Sequence, residues 1–166
     1  MDELVEKIIG LIEDQKRLYG LLLTVLQDEK AAAMRSSLDA LNRAVKEKEN
    51  VMLKIRILEE QRINLLGQVA SVLGEPADQL TLERLAQRIP EPHAGRVQAC
   101  RSSLLSLTQS IQELNNSNRR LFRRSLELIK GSINLLGSLR SPAPVYCQTG
   151  KLGAALASGS VLSGSV

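Results

Sequence analysis

The stretch that decides the fold is Val97–Leu139, VQACRSSLLSLTQSIQELNNSNRRLFRRSLELIKGSINLLGSL. Read in alternating steps of three and four residues, it gives thirteen positions, of which ten are apolar. These positions are Val97, Cys100, Leu104, Leu107, Ile111, Leu114, Asn118, Leu121, Ser125, Leu128, Ser132, Leu135 and Leu139. A repeat of about 3.5 residues is typical of a long helix whose apolar seam packs against other helices. We therefore predict one long helix here.

The three polar positions of this seam all lie in its second half. Asn118, Ser125 and Ser132 are spaced seven residues apart. The first half of the stretch therefore predicts an ordinary core helix, whereas residues 115–139, basic and interrupted by polar side chains, are where we expect a partner to bind.

The composition favours helices packed on helices. The chain has 166 residues, 43% of them hydrophobic, and its only aromatic residues are Tyr19, Phe122 and Tyr146. A core without tryptophan must be aliphatic, and a β-sandwich would need more aromatic and β-branched residues than this chain offers.

Asp2 and Glu3 favour the start of a first helix of about 30 residues. Apolar residues continue at a similar spacing from Leu4 to Val25, with Gln15 as the one polar seam position. The pattern is lost between Asp28 and Ser37, although this segment contains neither Gly nor Pro. We expect the chain to turn there, with Ser36 or Ser37 capping the next helix.

A second helix is predicted from Leu38 to a stop at Gly74. Three charged residues, Lys48, Glu59 and Arg62, interrupt its seam. They indicate a kink, a solvated flank or a shift of the seam to a neighbouring stripe. That stripe comprises Val51, Ile55, Leu58 and Leu65.

A short connector helix follows, capped by Thr81 and ended by Pro90 and Pro92, which open the last long helix. The predicted fold is all-α: an elongated antiparallel bundle of three long helices with a short connector helix and coiled-coil-like packing. We assign residues 1–140 to this bundle. Residues 141–166, rich in Pro, Gly, Ser and Ala, are expected to form a flexible tail, either without function or binding a partner.

Positive charge is concentrated on the last helix. The net charge of the chain is +4, whereas residues 96–140 alone carry a net charge of +6. Arg119, Arg120, Arg123 and Arg124 surround Phe122, but a nucleic-acid reader would usually show more stacking aromatics. We therefore expect no nucleic acid, and leave open a protein-partner face and an ordinary solvated flank.

No arrangement of residues indicates catalysis. The single histidine, His93, lies in the connector without a nucleophile beside it and is expected to be solvent-exposed, while Cys100 lies on the apolar seam as a small core residue. We find no motif for a metal, phosphate or nucleotide, and expect neither enzyme activity nor a cofactor. The acidic start and the lack of a long apolar run predict a cytoplasmic protein without membrane insertion.

Two short motifs carry a resemblance to a known family. The first is Leu114–Leu121, LNNSNRRL, with an Asn-x-x-Asn core formed by Asn115 and Asn118, and the second is Val145–Lys151, VYCQTGK, with a Tyr-x-x-x-Gly pattern. With the helix order of residues 1–152, they resemble the FlgN family of flagellar type III export chaperones.

The resemblance implies a chaperone for the hook-associated proteins at the hook–filament junction. Such a chaperone binds their terminal helical segments, prevents premature assembly and delivers them to the export gate. It further implies that Asn115, Asn118 and Leu126 lie in the substrate-binding region, and that Tyr146 docks to the export-gate component.

From the residues themselves, we expect the second half of the last helix to pair with an amphipathic partner helix. The expected apolar contacts are Leu121, Phe122, Leu126, Leu128 and Ile129. Polar residues at Asn115, Asn118 and Ser125 would fix the register of that pairing. The alternative is a structural coiled-coil protein that self-associates as a homo-oligomer through the same helix, without an export substrate.

Overall fold

The computed structural model describes residues 1–140, which form four helices and contain no strand. The helices are α1 (Asp2–Met34), α2 (Leu38–Leu73), α3 (Leu82–Arg88) and α4 (His93–Arg140). The chain divides into two compact units, Met1–Leu121 and Phe122–Val166. The predicted helical bundle is confirmed, and the predicted tail, residues 141–166, lies outside the described residues.

The turn between α1 and α2 is made without glycine. Ser36 adopts a positive φ of 54°, and the Ser37 N–H donates to the carbonyl oxygen of Ala32 at 3.0 Å. This hydrogen bond closes α1 in a Schellman-type motif. The Ser37 hydroxyl then accepts from the N–H of Ala40 at 3.4 Å and caps α2. The chain therefore turns within the predicted segment, and Ser37 is the cap.

The remaining boundaries follow local chemistry as predicted. Gly74 ends α2 with a φ of 72°, a conformation that favours glycine, and Glu75 N–H donates to the carbonyl oxygen of Ala70 at 2.9 Å. Thr81 caps α3 by accepting from the N–H of Arg84 at 3.2 Å.

The main core of the first unit contains buried residues of α3 and of all three long helices. Leu85 of α3 is completely buried, as are Ile8 of α1, Val69 of α2 and Val97 of α4. Burial of aliphatic side chains from all four helices stabilises this end of the bundle.

A second, smaller core lies further along the same helices. It contains Leu22 and Leu26 of α1 and Val51 of α2, with Ile111 and Leu114 of α4 packed against them. Glu6 of α1 contacts Arg96 of α4, and Lys30 contacts Ser117, so α1 and α4 run parallel. Gln15 of α1 contacts Glu59 of α2, whereas Glu29 contacts Lys48, so α2 runs antiparallel to both.

The charged seam positions of α2 are used in contacts between helices. Val51 is fully buried, which confirms the shift of the seam to the neighbouring stripe. Gln15 Nε2 donates to Glu59 Oε2 at 2.8 Å, and Arg62 also donates to this carboxylate. Burial raises the pKa of Glu59, but the hydrogen bonds from Arg62 and Gln15 outweigh it, so the pKa lies below its ordinary value.

The prediction of a solvent-exposed His93 is wrong. His93 is the first residue of α4, its side chain is only 19% exposed, and Nδ1 lies 3.2 Å from a carboxylate oxygen of Glu6. Arg96 donates to the same carboxylate. The start of α4 therefore lies beside the start of α1.

Candidate functional site

Within the first unit, α4 presents the predicted core seam. Val97 is completely buried and Cys100 is 5% exposed, whereas Leu104, Ile111 and Leu114 are half-buried against the two cores. Burial raises the pKa of the Cys100 thiol, which favours its neutral form. Cys100 is therefore a core residue, as predicted.

A buried polar layer lies at Asn118. Its Nδ2 donates to the carbonyl oxygen of Leu26 at 2.8 Å and to Oε2 of Glu29 at 3.1 Å. Glu29 is only 3% exposed and also accepts from Lys48 of α2. Asn118, Glu29 and Lys48, hereafter the polar layer, thus connect all three long helices.

Large apolar side chains of the second unit are exposed to solvent. None of residues 122–139 is buried, and seven leucine and isoleucine side chains there are between 56% and 74% exposed. They are Leu126, Leu128, Ile129, Ile133, Leu135, Leu136 and Leu139. With the half-buried Phe122, these residues form what we call the apolar face. Exposed apolar side chains in such number on one helix are typical of an interaction site.

Helical spacing places the apolar face on one half of the helix. Phe122, Leu126 and Ile129 follow one stripe, and Leu128 and Leu135 follow the adjacent stripe. Two apolar stripes side by side make a surface wide enough to receive a partner helix.

Two serines, Ser132 between these stripes and Ser138 beside them, already have hydrogen-bond partners. Ser132 Oγ donates to the carbonyl oxygen of Leu128 at 2.9 Å, and Ser138 Oγ donates to that of Leu135 at 2.7 Å. Because these hydroxyl donors are satisfied within α4, a partner could cover them without leaving them unpaired.

The predicted binding residues differ in their exposure to solvent. Asn115 is exposed and Asn118 is 1% exposed inside the bundle, so no partner can reach Asn118 in this structure. Leu121 and Ser125 are half-buried, as is Phe122. Leu126 and Ile129, at 57% and 56% exposed, lie in the open on one stripe of α4. Tyr146 lies outside the described residues.

Basic side chains accompany the apolar face. Arg123, Arg124 and Lys130 are exposed, and within residues 1–140 none of them has a carboxylate partner within 4.0 Å. Unpaired cations beside an apolar surface would favour a partner with acidic flanks.

A comparison with protein families decides the assignment. The model of the FlgN protein family matches residues 1–153. The chain belongs to the FlgN family. The resemblance seen in the sequence is thereby confirmed, and the match covers the bundle, the apolar face and Tyr146. Membership gives this FlgN protein a general role as a flagellar export chaperone and implies binding of flagellar hook-associated proteins. No curated protein and no solved structure gives a significant match.

None of the helices in residues 1–140 is long and apolar enough to cross a membrane. Within the same residues, no group of three or more His, Cys, Asp or Glu side chains is placed to hold a metal ion.

The sequence did not predict that Glu29 and Lys48 join Asn118 in a polar layer. Continuing the 4-3 spacing of α1 beyond Val25 reaches Glu29, so a charged residue on an apolar seam was the available signal. Lys48 is likewise a charged residue on the apolar seam of α2. Neither residue alone identifies the other as its partner, because their pairing depends on how α1 and α2 align.

Proposed function

We propose that this FlgN protein is a cytoplasmic chaperone that binds the terminal helical segments of hook-associated proteins on the apolar face. The observation that carries the proposal is the exposure of seven large aliphatic side chains between Leu126 and Leu139. An amphipathic helix laid along these stripes would remove them from water, which is the main driving force in helix-in-groove recognition.

The same contact accounts for chaperone action. A terminal helix held on the apolar face cannot form the contacts it makes in the assembled junction, so the bound protein stays unassembled. Delivery to the export gate requires a second contact, which we assign to Tyr146 on the strength of the family resemblance. Export-gate docking and substrate binding would then use different parts of the chain.

Binding of purified full-length chain to a peptide of a hook-associated protein's terminal helical segment tests this function. Replacing Leu126 and Ile129 by aspartate should weaken binding by at least ~30-fold, because burying one such side chain is worth about 2 kcal/mol. Leu53→Asp is the matched control, since Leu53 is 60% exposed on α2. Unchanged binding by the double variant would refute the role of the apolar face.

Self-association through the same surface is the second candidate. The heptad spacing of Leu121, Leu128 and Leu135 would also suit a coiled coil between two copies. Sedimentation of the free chain separates the two functions: a stable oligomer that the peptide does not dissociate favours self-association, and a monomer that forms a complex with the peptide favours the chaperone.

A further inference from the structure

We propose that the polar layer sets the register of α4 in the bundle. It thereby determines where the buried seam of α4 ends and which later residues of α4 stay exposed for a partner. The inference builds on the proposed function, because it makes Asn118 a positioning residue for the apolar face. It assigns Asn118 no contact with the substrate, in keeping with its 1% exposure.

Apolar packing alone leaves this register open. If α4 slid by one heptad, about 10 Å at ~1.5 Å per residue, apolar residues would replace apolar residues along the core seam. Leu104 would take the place of Val97, Leu107 that of Cys100, Ile111 that of Leu104 and Leu114 that of Leu107. Apolar side chains therefore line the seam over these turns in both registers.

The slide is unfavourable at Asn118. The amide would enter the place of Ile111, beside Leu22, Leu26 and Val51, and would lose the acceptors it has now. Ser125, with a shorter side chain, would come opposite the buried Glu29. A buried polar group without its partner is strongly disfavoured, so the polar layer selects the observed register.

The hydrogen bonding of the layer suits a role in specificity more than one in stability. Within residues 1–140 the buried Oδ1 of Asn118 has no hydrogen-bond partner. A single polar residue on a helical seam often lowers stability while fixing the register. An apolar layer would thus keep the bundle folded but allow more than one alignment.

Cross-linking in the full-length chain measures the register directly. Lys30 Nζ lies 3.5 Å from Ser117 Oγ, so cysteines at these two positions report the observed register. Cysteines replacing Lys30 and Arg124 report the register slid by one heptad. Cys147→Ser removes a competing thiol, the buried Cys100 is left in place, and a short bismaleimide is the cross-linker.

Two variants change the polar layer. Glu29→Leu, Lys48→Leu and Asn118→Leu together make it apolar and should raise the slid cross-link at least about tenfold over the unchanged layer. Asn118→Ser with Ser125→Asn moves the amide by one heptad and should make the slid cross-link the major product. The exchange keeps the composition, so it decides the question if the leucine variant does not fold.

If a folded exchange variant gives only the cross-link between positions 30 and 117, the proposal is overturned. It is also overturned if the chain with the unchanged layer gives the cross-link between positions 30 and 124. Peptide binding provides a separate readout: the exchange should weaken it by covering the start of the apolar face. If the unaltered chain binds no peptide of a hook-associated protein, the proposed function fails, but the cross-links still report whether the layer sets the register.

Discussion

The side-chain nitrogen of Asn118 lies 2.8 Å from the carbonyl oxygen of Leu26, a contact between α4 and α1 in the interior of the bundle. Asn118 is the last buried residue of α4 within the described chain. The seam that packs in the first unit thus ends at a polar contact, and the apolar residues of the second unit are exposed.

Removing the Asn118 side chain should destabilise the bundle. Asn118→Ala leaves the buried Glu29 without one of its donors and is expected to lower the free energy of unfolding by about 1–3 kcal/mol. Urea denaturation followed by circular dichroism measures the loss. Asn115→Ala, three residues away and exposed, should change stability by less than ~0.5 kcal/mol. Equal effects of the two variants would contradict the polar layer.

The connector helix should depend on one leucine. Leu85 is completely buried in the main core, so Leu85→Ala is expected to cost about 2–5 kcal/mol through lost burial and the resulting cavity. Leu53→Ala, at a site 60% exposed on α2, serves as the control and should have little effect. Thermal unfolding of both variants provides the comparison, and a stable Leu85→Ala protein would show that α3 is not part of the core.

Glu59 should contribute to the pH dependence of stability. The pKa of Glu59 in the folded chain is lowered from the ordinary 4.5. Its contribution to the free energy of unfolding is therefore present above the ordinary value and is lost as the pH falls through the folded pKa. Between about pH 6 and pH 3, the unaltered chain should lose more stability than Glu59→Gln in urea titrations. Glu60→Gln, which alters an exposed neighbour, should follow the unaltered chain. Identical pH profiles for Glu59→Gln and the unaltered chain would exclude this contribution.

Tyr146 should matter for delivery and not for substrate binding. With export-gate docking assigned to this residue, Tyr146→Ala is expected to bind the peptide of the hook-associated protein normally but to lose binding to the purified export-gate component. Cys147→Ala, at the adjacent position, is the control. Loss of peptide binding by Tyr146→Ala would contradict the separation of the two functions.

The order and limits of the helices could be read from local chemistry, because caps and stops involve residues close in sequence. Ser37, Gly74 and Thr81 each act within a few residues of their position. The seam of α4 was visible for a similar reason, since its period is a property of one helix.

The pairing of polar residues between helices could not be read in this way. Asn118 stood out as a polar seam residue, but its contact with Glu29 joins positions 89 residues apart and depends on the alignment of α4 with α1. The resemblance likewise implied that Asn118 lies in the substrate-binding region, without showing whether its side chain is open or buried. His93 was mispredicted because its surroundings include Glu6, which is far away in sequence.

Photo-cross-linking from the apolar face tests the central claim most directly. A photoreactive amino acid is placed at Leu128 or Leu135, which are 73% and 62% exposed, and at Leu53 as the control. The full-length chain is then irradiated with a hook-associated protein. We predict adducts from positions 128 and 135 that map to the terminal helical segment, and none from position 53. Adducts from position 53 alone would contradict substrate binding on the apolar face.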